Sequence, residues 1–231
     1  MKTIRIECFA WLAVTALTAV TVTAADSVAT RDGIGVTGSI VRLAADGVSW
    51  SGGQTVAWTN VASVRRDRPA LQAPGQRIAL RNGTALCGIV RRVTKDSVVF
   101  CSVAAGEFEV AWSNVSAIRF ETEGSRPQGG PNGTGVCEVV KTDGTRRAGS
   151  LILATRRQLL LKTSEGLEKI ETGDVTWLLS GPPPAGGDAL ILRNGDRLCG
   201  PVTWRNETAL VDVNGKQVAV DQSAIDQMGS R

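Results

Sequence analysis

Short apolar runs alternate with polar turns along almost the whole chain. Ile78-Ala79-Leu80, Val98-Val99-Phe100 and Leu190-Ile191-Leu192 are each bounded by Gly, Asn, Asp or Ser and are too short for core helices. The pattern predicts an all-β protein. One stretch organises the rest: Leu190-Ile191-Leu192-Arg193-Asn194-Gly195-Asp196-Arg197-Leu198-Cys199-Gly200 is nearly repeated by Ile78-Ala79-Leu80-Arg81-Asn82-Gly83-Thr84-Ala85-Leu86-Cys87-Gly88. Two weaker copies surround Asp32-Gly33 and Asp143-Gly144. In all four an Asn-Gly or Asp-Gly is followed five residues later by a second glycine: Gly33/Gly38, Gly83/Gly88, Gly144/Gly149 and Gly195/Gly200. A unit of about 50 residues is therefore expected four times.

Asn-Gly and Asp-Gly favour a type I′ turn, so each copy is expected to open on a tight hairpin. The second glycine then falls inside the returning strand, where it marks a sharp bend or a close backbone approach. A small sheet needs such a bend to curl and close on itself. The units are expected over residues 26–68, 75–123, 135–180 and 187–229. Pro/Gly-rich joints at 68–75, 125–135 and 181–187 separate them. The joint at 125–135 is the longest and most polar, which predicts a two-plus-two grouping divided there. Each unit is too small for a strong private core, so neighbours should pack together or exchange strands. If Lys95-Asp96 centres a two-residue hairpin, Cys101 lies opposite Val90.

Residues 1–25 have a different character. Lys2 and Arg5 precede an apolar run and then small residues before Asp26, the order of a secretory signal peptide. The expected address is secreted or periplasmic, with no membrane span in the mature chain. Removing Lys2, Arg5 and Glu7 changes the formal net charge of +4 by one, so no strongly basic footprint emerges. The pairs Arg65-Arg66, Arg91-Arg92, Arg146-Arg147 and Arg156-Arg157 fall on expected strands. Adjacent residues there face opposite ways, and edge charges discourage aggregation.

The chain contains no histidine, which removes imidazole acid–base chemistry, His metal sites and His-based triads. Gly33-Ile34-Gly35-Val36-Thr37-Gly38 matches a dinucleotide fingerprint in letters alone, because it lies in the hairpin repeat and not between a strand and a helix. Glu107 and Glu109 alternate along an expected strand, where solvated positions outweigh a glycosidase pair. Cys87, Cys101, Cys137 and Cys199 remain after residue 25. They allow either two disulfides in an exported protein or small buried thiols. No catalytic residue, metal ligand or cofactor is assigned.

The pattern Leu-x-Asn-Gly-x-x-Leu-x-Gly-x-Val, followed by a polar turn and a β-rich run, resembles the opening strands of the Sm-like small β-barrel over roughly 30 residues of each unit. It equally resembles the small β modules of secreted bacterial proteins of unknown function. The resemblance implies four tandem barrel-like repeats. The RNA contacts of the Sm family use an Asp-x-apolar-Asn loop. Asp96-Ser97-Val98-Val99 and Asp46-Gly47-Val48-Ser49 keep the aspartate and lack the asparagine, and no unit carries the later Arg-Gly or Lys-His loop. No nucleic-acid partner is therefore expected, and an Sm-like RNA binder stands as the least favoured reading.

The expected function is that of a non-catalytic interaction or scaffold module, binding an envelope or extracellular protein or glycan through strand edges and loops. The alternative is a carbohydrate-binding protein with Trp50, Trp58, Trp112 or Trp204 as stacking platforms (Trp177 is a further mature tryptophan). Trp58 and Trp112 hold equivalent places before the last strand of their units, a placement that also suits core packing.

Overall fold

The computed structural model describes residues 25–68, 75–120, 126–128, 130–131, 135–182 and 189–229. The signal-peptide assignment thus falls almost wholly outside the described residues, as do most of the three joints. The described chain is all-β. Its helical pieces are four single 3-10 turns of three residues each.

The first segment contains β1 (Asp26–Thr30), β2 (Gly35–Gly38), β3 (Ile40–Ala44), β4 (Gly47–Trp50), β5 (Thr55–Val56) and, after a 3-10 turn at Trp58–Asn60, β6 (Val61–Arg65). The second contains β7 (Gln76–Leu80), β8 (Ala85–Thr94), β9 (Ser97–Ser102), β10 (Gly106–Ala111), a turn at Trp112–Asn114 and β11 (Val115–Arg119). The third runs β12 (Cys137–Lys141), β13 (Arg146–Ala154), β14 (Gln158–Thr163), β15 (Gly166–Glu171), a turn at Thr172–Asp174 and β16 (Val175–Leu179). The fourth runs β17 (Ala189–Leu192), β18 (Arg197–Leu198), β19 (Val202–Arg205), β20 (Thr208–Val213), β21 (Lys216–Asp221), a turn at Gln222–Ala224 and β22 (Ile225–Gly229).

Period-two burial explains why these stretches are strands. Along β9, Val98, Phe100 and Ser102 are buried while Ser97, Val99 and Cys101 are half-buried. Leu159 and Leu161 of β14 and Ala209, Val211 and Val213 of β20 turn inward in the same way. The main cluster of buried side chains includes residues of all four segments, from Val28 to Ile225. The segments therefore share a core, as small units must.

The opening hairpins are not type I′ turns. Gly33, Gly83, Gly144 and Gly195 have φ of 85°, 96°, 82° and 81°, whereas Asp32, Asn82, Asp143 and Asn194 are absent from the positive-φ residues. A type I′ turn needs positive φ at both central positions. Each loop instead has three residues. Gly83 N–H donates to Leu80 O at 3.1 Å and Leu80 N–H donates to Thr84 O at 2.8 Å, with matching pairs in the other segments. This is a type I turn closed by a left-handed glycine. The Asx side chain stabilises it by accepting the N–H two residues on, as Asn82 does from Thr84 at 3.0 Å and Asp143 from Thr145 at 2.8 Å. Asn214 and Gly215, with φ of 53° and 83°, form the two-residue turn between β20 and β21, where both central residues have positive φ.

The second glycines lie where the returning strand crosses a neighbour. Gly88 pairs with Gln76 on one side and Ser102 on the other. A Cβ at Gly88 would stand 2.1 Å from Cys101 O, one at Gly149 2.6 Å from Lys162 O, and one at Gly200 1.9 Å from Asp212 O. At Gly38 it would meet the Trp50 ring at an ordinary 3.5 Å. Beyond Gly88 the register differs from the expected one, because a bulge between Val90 and Arg92 sets Cys101 opposite Ile89 instead of Val90.

Sixteen strands join one sheet, whose path runs β15-β14-β13-β12-β16-β11-β7-β8-β18-β17-β22-β6-β1-β2. Its partnerships differ from the expected grouping. The last strands of segments two and three pair, with Ala117↔Leu179, Ile118↔Leu178 and Arg119↔Trp177. Those of segments four and one pair likewise, with Gln227↔Arg65, Met228↔Val64 and Gly229↔Ser63. Segments two and four meet through Ala85↔Arg197. Among the described residues no strand pairs segment one with two, or three with four. The sheet therefore pairs across the 125–135 joint, between segments two and three, and pairs the first segment with the last, instead of dividing at that joint.

Candidate functional site

The tryptophans divide by burial. Trp50, Trp112 and Trp177 are only 8%, 9% and 7% exposed. Trp50 and Trp112 therefore offer no open face for a ligand, and the expected stacking role is corrected for both to core packing. Trp58 and Trp204 remain half-buried at the surface. The 3-10 turn before β6 presents Trp58, whose indole N–H donates to Ala44 O at 2.6 Å. Trp204 projects from β19. The two rings stack with centroids 5.2 Å apart and planes 11° from parallel, a contact worth about 0.5–1.5 kcal/mol beyond its buried area.

This pair forms one wall of a cleft of about 520 Å³ between segments one and four. Met228, Val61 and Pro201 supply further apolar lining, and the exposed Arg31 stands at the cleft. The cleft exists because β22 and β6 pair edge to edge, bringing Met228 opposite Val64 and carrying the two tryptophans towards each other. Neither Arg31 nor Met228 was marked by the sequence pattern. Their role depends on which segments become neighbours.

A second cleft, of about 530 Å³, adjoins the first at Gly200-Pro201 and is bordered by Asn82, Cys199, Asp212 and Asn214. It lies along the seam between segments two and four. Equivalent residues satisfy each other reciprocally there. Cys199 N–H donates to Thr84 Oγ1 at 3.0 Å, and Cys87 N–H donates to Asp196 Oδ1 at 2.5 Å. The Asp196 side chain is fully buried and also accepts from Asn194 Nδ2 at 2.9 Å. Burial pushes its carboxyl above the usual range, partly offset by the Cys87 N–H and the Asn194 amide. Burial also raises the Cys87 thiol, with Arg77 pulling it back and Asp196 adding to the rise. Arg77 reaches across the seam to donate to Gly195 O. Lys216 Nζ ties the same two segments together through Glu107 O at 2.6 Å. The sequence signal for Asp196 was visible in principle, as a carboxylate where the sister copy has Thr84.

The remaining candidates are dispersed. Glu107 and Glu109 both face solvent, and Glu109 accepts from Ser97 Oγ. Asp46 and Asp96 are exposed on separate turns. Cys87, Cys137 and Cys199 are buried thiols and Cys101 is half-buried, with no disulfide among them. Burial drives the Cys137 thiol up to about 12. Among the described residues no group of three or more Cys, Asp or Glu side chains is arranged to hold a metal ion, and no helix is long and apolar enough to cross a membrane. No protein-family model matches this chain, and no curated protein is similar to it.

Proposed function

We propose that the chain is an exported, non-catalytic binding protein of the cell envelope or extracellular space, built from four tandem copies of an Sm-like barrel unit. The recurring order of strands and 3-10 turn supports the repeat reading, as do the four left-handed turn glycines. Export is supported by the basic, apolar and small-residue order of residues 1–25. N-terminal sequencing of the mature protein should begin at Ala25 or Asp26; a cytoplasmic product with intact Met1 overturns that assignment.

The observation that carries the binding reading is the cleft between segments one and four. Two half-exposed indoles, further apolar side chains and one forked cation line a concave surface that mixes apolar and polar area, as a site for an amphipathic ligand would. An envelope or extracellular protein or glycan is the ligand class. The stacked indole pair favours a glycan as the more specific reading, since an outer indole face of such a stack suits the apolar face of a sugar ring.

The test is tryptophan-fluorescence titration of the purified chain with a glycan panel and with envelope protein fractions. Saturable binding is expected, weakened at least tenfold by Trp204→Ala and by Arg31→Ala. Undiminished binding by both variants moves the site away from the cleft. Turnover of glycans, peptides or esters above about 1 per second overturns the non-catalytic reading.

A further inference from the structure

The seam between segments two and four is a local two-fold. Ala85 and Arg197, which pair across it, hold the same position in their segments. The bonds on either side are exchanged by the same symmetry: Thr84 serves Cys199 N–H, and its equivalent Asp196 serves Cys87 N–H. The two seams between last strands are also two-folds, centred on Ile118↔Leu178 and on Val64↔Met228. The segments therefore stand in the spatial order three, two, four, one. The starts of the returning strands meet at the middle of this array, at Ala85 and Arg197. Among the described residues the starts of the returning strands of the two end segments have no such partner, and the far end of β13 pairs with β8 through Leu153↔Thr94 and Ala154↔Val93.

Those two free edges differ in chemistry. In segment three the positions equivalent to Ala85 and Leu86 are Arg146 and Arg147, both exposed and bridged to Glu138 at 3.2 Å and Glu168 at 3.6 Å. A two-fold pair there would set Arg146 against its own copy, and like charges directly opposite are destabilising. In segment one the corresponding edge reads Ile34-Gly35-Val36-Thr37, with no charge. Ile34 is 59% exposed, and among the described residues β2 pairs with β1 alone. Charge or cover normally blunts an edge of this kind.

We propose that β2 pairs with β2 of a second copy of this chain, antiparallel and centred on Gly35, reproducing between molecules the seam that joins segments two and four within one. Such an interface is isologous, and both partners present one self-complementary edge. The position of Gly35 fits this geometry, because it is equivalent to both Ala85 and Arg197. Leu86 and Leu198, equivalent to Val36, are fully buried beside the internal seam, whereas Val36 is half-exposed. Ile34 has no oxygen with which to copy Thr84 or Asp196, so this pair rests on backbone bonds and apolar contact. The proposal is independent of the cleft and its ligand.

Sedimentation of the purified full chain across a concentration series tests this. The 24.3 kDa chain should approach twice its mass as concentration rises, and Ile34→Lys/Thr37→Lys should remain at the monomer mass with an unchanged far-UV spectrum. Gly35→Cys provides a second measurement. A Cβ there meets nothing within 4 Å, and directly paired Cα atoms lie about 4.5–5.5 Å apart, within disulfide reach. Oxidation should yield a dimer whose cross-linked peptide joins residue 35 to residue 35, while Arg146→Cys should not cross-link to itself. A wild-type chain that stays monomeric throughout overturns the proposal, including the case in which residues before Asp26 cover the edge. Equal cross-linking at 35 and 146 overturns it too.

Discussion

Alanine at the four second glycines should cost very different amounts of stability, although the four sites are equivalent in sequence. An added methyl at Gly200 or Gly88 would lie 1.9 Å or 2.1 Å from a backbone carbonyl oxygen of the crossing strand. Carbon and oxygen ordinarily approach no closer than about 3.3 Å. One strand must therefore move by more than about 1 Å, or the pairing must open. At Gly149 the nearest carbonyl is 2.6 Å away and Leu161 Cγ is 2.9 Å away, so the required shift is smaller. At Gly38 the methyl meets the Trp50 ring at an ordinary 3.5 Å, but the backbone φ of 159° is one that L side chains rarely adopt. Overpacking costs about 1–3 kcal/mol, so Gly200→Ala and Gly88→Ala should lose about 3 kcal/mol or more and Gly149→Ala about 2. Gly38→Ala should lose about 1–2 kcal/mol from its backbone conformation instead, and Gly52→Ala, where a Cβ meets nothing within 4 Å, under about 1. With a urea slope of about 2 kcal/mol per M, a 3 kcal/mol loss lowers the midpoint by about 1.5 M. Urea titration followed by tryptophan fluorescence and circular dichroism reads these shifts. If the two severe variants do not fold, Gly149→Ala against Gly52→Ala still decides the matter. Indistinguishable midpoints for all variants that fold would refute the close-approach argument.

Three further outcomes are expected. The Asp196 carboxyl is raised by burial, so the folded state holds its proton more tightly than the unfolded state does. Stability from this group is present at low pH and is lost as pH rises from the ordinary aspartate value through the folded one. Asp196→Thr, which copies Thr84, should therefore gain in melting temperature relative to wild type between pH 4.5 and 7; a pH-independent difference counts against the buried-acid account. In native thiol labelling at pH 8, half-buried Cys101 should react first. Cys137, with its thiol near 12, should stay unlabelled until urea unfolds the chain, and early modification of Cys137 would contradict its burial. Finally, residues 1–125 and 126–231 produced separately should each fold poorly and recover the intact protein's unfolding transition only when refolded together. The sheet pairs segment two with three and four with one. A half that unfolds alone with the whole protein's midpoint would refute that topology.

The sequence by itself determined the local structure. Alternating apolar residues placed the strands, as Val98 and Phe100 show in β9, and Asx-Gly placed the opening turns. The second glycine marked the close backbone approach in segments two, three and four, but not in segment one. These features act within a few residues of one another, through pleat periodicity, side-chain bonds to the turn and the absence of a Cβ. Even here two details escaped. The turn glycine takes a left-handed conformation alone, and the Arg91 bulge shifts Cys101 to face Ile89. Neither changes the apolar pattern enough to be read from it.

Only the tertiary structure decided which segment stands beside which. The last strands are similar in all four copies, so local sequence does not choose among partners, and the length and polarity of the 125–135 joint pointed to the wrong grouping. The choice rests on contacts between distant residues, such as Asp196 with the Cys87 N–H and Arg119 over the Trp177 ring at 6.0 Å. The candidate site follows from that choice. Trp58 and Trp112 hold the same place in their segments, yet Trp58 meets Trp204 at an open cleft and Trp112 lies in the core. Exposure of a side chain depends on what is packed against it, and for these two tryptophans the neighbours come from elsewhere in the chain.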